Sequence, residues 1–179
     1  MQLRYKRFSS DVIQPRFASP YAACFDVCAY FGREHRLIRA FRNTTNEEFK
    51  EACFIEPGSP KQYSIEITRG NRYLIPTGLF FDMDPWQSAF IYSRSGNALK
   101  YGVRVCNSVG VIDADYYHEV YVILENISDV PFKINHGDRI AQVRIMENTL
   151  RTHQYRLQET FEELKQKTDR AGGFGSTGR

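Results

Sequence analysis

The chain has 179 residues, 42% of them hydrophobic and 25% charged, with a formal net charge of +3. That size and apolar content fit one domain with its own core, and the small positive charge hints at anionic ligands while excluding the dense basic stripe of a nucleic-acid binder. No apolar run approaches the ~20 residues of a membrane span and no signal peptide opens the sequence, so a cytoplasmic (or nuclear) protein without membrane or direct nucleic-acid partners is expected.

Met1–Lys6 reads as an edge strand. "SPYAACFDV" (19–27) places Asp26 after a run of small residues; a single aspartate says little by itself. Residues 32–60 differ in texture, mixing charge with sparse apolar residues and closing on Pro57-Gly58-Ser59-Pro60. They look like an insertion. Thr45-Asn46-Glu47-Glu48 is a capping-box pattern leading into "FKEACF", which predicts a short helix there. A solvated excursion is the plain reading of this insertion, and a protein-partner element is the sharper one.

Alternation of period two then dominates. "YSIEIT" (63–68) puts Ile65 and Ile67 on one face, and "YGVRVC" (101–106) sets Val103 and Val105 opposite Arg104 and Cys106. "VYVIL" (120–124) is nearly continuous, as in a central strand, and "IAQVRI" (140–145) sets Ala141, Val143 and Ile145 against Gln142 and Arg144. Short strands punctuated by Gly, Pro, Asn and Asp predict an all-β sandwich or barrel. Helical signals are few. Ser95–Lys100 predicts a turn or two of helix before Gly102 stops it. Thr160-Phe161-Glu162-Glu163 is a second capping box, with Leu157, Phe161 and Leu164 at helical spacing. The four cysteines, Cys24, Cys28, Cys53 and Cys106, match no zinc pattern and are expected as reduced thiols.

Several clusters carry chemistry. In "NSVGVIDADYYHE" (107–119), Asp113 follows an apolar strand; a carboxylate there serves as a general base, a metal ligand or a turn residue. In "SRSGNALK" (93–100), Arg94, Ser95 and the Gly96 backbone form a compact donor set for phosphate, or an ordinary helix start. In "GDRIAQ" (137–142), a turn brings Arg139 and Gln142 within reach of an anion. The tail "RAGGFGSTGR" (170–179) offers backbone N–H groups, the hydroxyls of Ser176 and Thr177, two arginines, and Phe174 as a stacking surface for a planar ligand. A solubilising terminus is the alternative.

Taken in order, these segments resemble the five motifs of the trimeric dUTPase family: Asp26 in the first, "RSG" (94–96), "NSVGVIDADY" (107–116), "GDRIAQ", and "RAGGFGSTG" in the tail. The resemblance implies an all-β, jelly-roll-like subunit in a homotrimer. It divides the chain into a β domain over 1–150 with the insertion at about 32–60, a helical linker over 151–169, and an arm over 170–179 that closes the active site. It implies Mg²⁺-dependent hydrolysis of dUTP to dUMP and pyrophosphate at subunit junctions. Asp113 would activate the attacking water, and Tyr116 would pack on the deoxyribose. The hairpin with Asn107, Gly110 and Val111 would read uracil. Arg94, Ser95, Gly96, Arg139 and Gln142 would hold phosphates, and Asp26 would orient Mg²⁺ through water. Arg170, Phe174, Gly175, Ser176 and Thr177 would come from the arm. Cys24 and His118 stand where the family usually has glycine, and Ser93 where it has proline. The rival readings are a dCTP deaminase of the same fold, against which Asp113 and the tail argue, and a nucleotide-sensing protein that binds a partner through 32–60.

Overall fold

A computed structural model of the chain describes residues 2–32, 35–55, 63–107, 109–147 and 156–160. Its strands are β1 (Gln2–Arg7), β2 (Arg16–Phe17), β3 (Phe25–Cys28), β4 (Leu37–Phe41), β5 (Glu48–Ala52), β6 (Phe54–Ile55), β7 (Tyr63–Ile67) and β8 (Arg72–Pro76). There follow β9 (Leu79–Asp82), β10 (Gln87–Ser93), helix α1 (Ser95–Tyr101), β11 (Val103–Val105), β12 (Gly110–Asp113), β13 (Tyr121–Asn126), β14 (Phe132–Asn135), β15 (Arg139–Glu147) and β16 (Arg156–Glu159). Among the described residues, no helix is long and apolar enough to cross a membrane.

The strands form two five-stranded sheets, β12-β10-β15-β3-β2 and β11-β13-β8-β4-β5, and two three-stranded sheets, β16-β1-β9 and β14-β7-β6. This is the all-β architecture expected from the alternation, in the jelly-roll-like form that the family resemblance implies. Several strands bury alternate side chains. Val103 and Val105 are buried while Arg104 is exposed, and Ala141, Val143 and Ile145 are buried beside exposed Arg144. The core joins Phe25, Phe31, Ile65, Ile67, Tyr73, Phe81 and Leu124, all but fully enclosed. Apolar area withdrawn from water at ~25 cal/mol per Å² is the main force holding such layers. α1 ends as expected: Gly102 takes φ 65°, a left-handed C-cap at which a Cβ would stand 3.1–3.2 Å from Ser128.

Three expectations fail. β1 is not an edge strand. It lies between β9 and β16, the latter pairing with it in parallel through Gln2–Tyr5 and Arg156–Glu159, with an Arg7–Glu159 ion pair alongside. Residues 156–159 therefore extend the β body where a helical linker was expected. The rest of the expected helix and the whole arm, including Arg170, Phe174, Gly175, Ser176 and Thr177, lie outside the described residues.

The third failure is at the insertion. The capping box does not start a helix: β4 and β5 form an antiparallel hairpin, and β4 continues the sheet by pairing with β8. Thr45 Oγ1 accepts the Glu47 N–H at 3.3 Å, closing the turn, and Asn46 takes φ 55°, which asparagine tolerates. The strand wins because its inward positions find partners that a helix would forfeit. Phe49 meets the Tyr73 ring edge-on at 6.0 Å, and Glu51 accepts the Tyr73 hydroxyl at 2.8 Å. Ile38 and Ala40 enter the main core. The segment is thus part of the sheet, not a solvated excursion. Its exit, including Pro57–Pro60, lies outside the described residues.

Candidate active site

β12 runs antiparallel to β10, with Ile91 opposite Gly110 and Ser88 opposite Asp113. A cavity of about 80 Å³ opens beside this pair, lined by Asn107, Gly110, Val111, Asp113 and Tyr116 together with Ile91, Val105 and the β13 residues Tyr121 to Ile123. Glycine at 110 permits a close approach of Ile91 and Asn107 at the cavity wall. A Cβ there would stand 3.1 Å from the Cβ of Ile91 and 3.3 Å from the Asn107 amide nitrogen. Asp113 is exposed at the end of β12, where the strand stops. Its carbonyl accepts the Tyr116 N–H at 3.1 Å, so a turn through Ala114 and Asp115 brings Tyr116 back to the cavity. Asp113 and Asp115 therefore do not share a strand face. The Tyr116 hydroxyl donates to the Glu119 carbonyl at 2.8 Å, and the residue is 9% exposed. Burial, with Glu119 nearby, pushes the Tyr121 phenol far above its ordinary range, so Tyr121 meets the cavity as a neutral group.

A second cluster sits on β3, β15 and the start of α1. Asp26 Oδ1 accepts from Arg94 Nε at 3.0 Å and its Oδ2 from Arg139 Nη1 at 3.1 Å. Gln142, opposite Asp26 in the β15–β3 ladder, donates to the Ser93 carbonyl at 2.9 Å. Asn97 reaches the Arg139 carbonyl at 3.4 Å. Ser95 and Gly96 begin α1 beside Arg94, and a Cβ on Gly96 would meet nothing within 4 Å. Two guanidiniums against one carboxylate leave this cluster net positive.

The expected residues thus fall into two groups within one chain. Asn107, Gly110, Val111, Asp113 and Tyr116 share the cavity; Asp26, Arg94, Ser95, Gly96, Arg139 and Gln142 do not line it. A cavity this small holds one part of a ligand, not a whole nucleotide, since pockets for drug-sized molecules run to ~300–1,000 Å³.

The structure also answers the glycine departures. Among the described residues the one non-glycine with positive φ is Asn46, so Cys24 and His118 occupy backbone that any residue adopts. Ser93 contributes a bond that proline could not, its Oγ accepting the Val105 N–H at 2.8 Å. All four cysteines are free thiols, as expected. Sequence reasoning missed Glu119, which is 7% exposed. One carboxylate oxygen accepts the Gly78 N–H and the other meets His35 Nε2, both at 2.7 Å. An acidic residue three positions beyond the cavity tyrosine and preceding an apolar run was the available signal.

Comparison with known proteins agrees with this picture. The dUTPase family model matches residues 59–178. The deoxyuridine 5'-triphosphate nucleotidohydrolase of Cytophaga hutchinsonii is 43% identical over 108 residues, covering 60% of this chain and 67% of the relative. That of Methylocella silvestris is 44% identical over 124 residues, 69% of this chain and 72% of the relative. The crystal structure of dUTPase from Streptococcus mutans shares the fold, with a TM-score of 0.56 at 22% identity over 83% of this chain and 98% of that one. With the family model spanning well over half of its length, the chain belongs to the dUTPase family.

Proposed function

We propose that this protein hydrolyses dUTP to dUMP and pyrophosphate, the activity for which its relatives are named, and so limits uracil incorporation into DNA while supplying dUMP for dTMP synthesis. The observation that carries this reading is that Asn107, Gly110, Val111, Asp113 and Tyr116 line a single cavity. Asn107, Gly110 and Val111 hold the uracil ring, in part through backbone groups. Tyr116, fixed at its hydroxyl and its backbone, packs on the deoxyribose and leaves no space for a 2′-hydroxyl. Asp113 accepts a proton from a water molecule as that water attacks the α-phosphorus; the bond from this phosphorus to the bridging oxygen breaks, and pyrophosphate leaves.

Arg94, Arg139 and Gln142, with Ser95 and Gly96, hold the triphosphate. These residues stand apart from the cavity of their own chain, which supports a homotrimer with each site completed across a subunit boundary. The arm, with Arg170, Phe174, Gly175, Ser176 and Thr177, closes the site and excludes bulk water.

The family implies Mg²⁺. No group of three or more metal-ligating side chains occurs among the described residues, which argues against an all-protein cage. Asp26 fits a looser contact. A carboxylate has about four acceptor sites, and two are taken by Arg94 and Arg139, so others remain for metal-bound water. Mg²⁺ would neutralise phosphate charge there. Asp26 would also hold the two guanidiniums in place.

A pyrophosphate-release assay across dUTP, dCTP, dTTP and UTP tests the activity. Strong preference for dUTP is expected; comparable turnover of UTP overturns the sugar reading, and deamination of dCTP overturns the reaction. The shared site is tested by mixing Asp113→Asn chains with chains truncated before residue 170. About a quarter of sites in mixed trimers are whole if base and arm come from different chains. Activity no higher than that of the two parents overturns the shared arm.

A further inference from the structure

We propose that Arg16 is a further substrate-binding residue that meets the β- and γ-phosphates; this rests on the reading of the Asp26 cluster as the triphosphate site. Residues directly opposite one another on neighbouring strands point to the same face of a sheet. Arg16 on β2 lies opposite Asp26 on β3, Asp26 opposite Gln142 on β15, and Gln142 opposite Tyr92 on β10. The four form one cross-strand row, and none of them is fully buried. The next row along, Phe17, Phe25, Val143 and Ile91, turns to the other face, where the last three are buried. Arg16 therefore shares its face with Asp26 and Gln142, one strand spacing, ~5 Å, from Asp26.

The two-residue strand β2 is held on both sides of this residue. Pro15 is buried, and the Phe17 ring meets that of Phe25 edge-to-face at 5.7 Å between centroids and 79° between planes. Arg16 stands between these two anchors and is exposed. Asp26, its cross-strand neighbour, is the carboxylate it would be expected to pair with. Both Asp26 oxygens are instead engaged, Oδ1 by Arg94 and Oδ2 by Arg139. Among the described residues no hydrogen bond or ion pair engages Arg16. A third guanidinium thus flanks a cluster that is already net positive, on an anchored stretch of backbone, with its donors open to an anion. The terminal phosphates carry most of the charge of a nucleoside triphosphate, and a guanidinium fits phosphate oxygens with two donors at once.

The test measures KM and kcat for dUTP, and the inhibition constant of dUMP, in wild type, Arg16→Gln, Arg16→Lys and Lys50→Gln, with thermal melts as a fold control. Lys50 is an exposed cation on β5, in the other five-stranded sheet, and controls for net charge. Arg16→Gln is expected to raise KM about 2- to 5-fold with kcat within about 2-fold, the scale of an exposed charge pair and the pattern of lost uniform binding. Arg16→Lys recovers most of the loss, dUMP inhibition and Tm are unchanged, and the KM difference shrinks at ~0.5 M salt as screening shortens the reach of the charge. An unchanged KM in Arg16→Gln overturns the proposal, as does an equal rise in Lys50→Gln, an equal loss of dUMP affinity, or a KM difference that salt leaves intact. Arg94→Gln separates the two ideas. If it too keeps the wild-type KM, the triphosphate reading fails and Arg16 with it. If it loses affinity while Arg16→Gln does not, only the role of Arg16 fails.

Discussion

The β10–β12 pair and the β4–β5 hairpin are both antiparallel units with the same alternation, yet one opens a cavity and the other fills its space. In β12 the residue facing Ile91 is Gly110, where the absence of a side chain lets Ile91 and Asn107 close in at the cavity wall, and the chain then turns at Asp113 to bring Tyr116 alongside. In β4 and β5 every inward position is occupied: Ile38 and Ala40 enter the core, and Phe49 and Glu51 meet Tyr73. The first unit lies inside the family match over 59–178, and the second precedes it. The close approach at Gly110 and the turn after Asp113 shape the cavity, while the hairpin persists by packing on Tyr73 and the core. The two regions still touch. His35, at the root of the hairpin, meets Glu119, whose backbone carbonyl holds the Tyr116 hydroxyl.

The largest effect expected concerns the cavity side. Asp113→Asn keeps the side chain's size but cannot take the water's proton, so kcat falls by about 10² to 10⁴ while KM changes little. Steady-state kinetics on dUTP checks this, and near-normal turnover would remove the distinction between a reacting pair of strands and a structural one. On the hairpin side, Ile38→Ala costs about 2–5 kcal/mol of stability, the range for truncating a fully enclosed aliphatic side chain. Its kcat at a temperature where the variant stays folded remains near wild type. Chemical denaturation paired with kinetics measures both, and a stability change below about 1 kcal/mol would return the segment to a dispensable excursion.

A smaller effect probes the link between the two regions. His35→Ala removes one partner of a buried carboxylate and costs about 1–3 kcal/mol. Glu119 keeps the Gly78 N–H, so the change stays below that of an uncompensated buried charge. Loss of dUTP/UTP discrimination in this variant would show that the hairpin acts on the cavity and does more than brace it. The smallest effect is chemical. Burial pushes the Cys28 thiol up to about 11 and the Cys53 thiol up to about 12. A raised value means less thiolate at pH 8, so Cys24 and Cys106 alkylate first, and the other two react only as pH climbs toward those values. Early labelling of Cys53 would indicate that the hairpin opens readily.

The strand faces and the order of the five motifs were legible in the chain itself. Alternation at 101–106 and 140–145 needs only the period of the pleat, and the Gly102 stop needs only a left-handed φ that glycine adopts freely. These are local properties, decided within a few residues. What tertiary structure decided is non-local. Thr45-Asn46-Glu47-Glu48 carries a helix-start signal worth only about 1 kcal/mol, and burial of Ile38 with the packing of Phe49 on Tyr73 outweighs it. Pairing of β1 with β16 joins the two ends of the described chain, a contact that no periodicity announces. The cavity belongs to the same class, since Gly110 stands in sequence within the apolar stretch before Asp113. That glycine becomes a point of close approach at a cavity only when β10 places Ile91 against it and the turn at Asp113 returns Tyr116 to the same cavity.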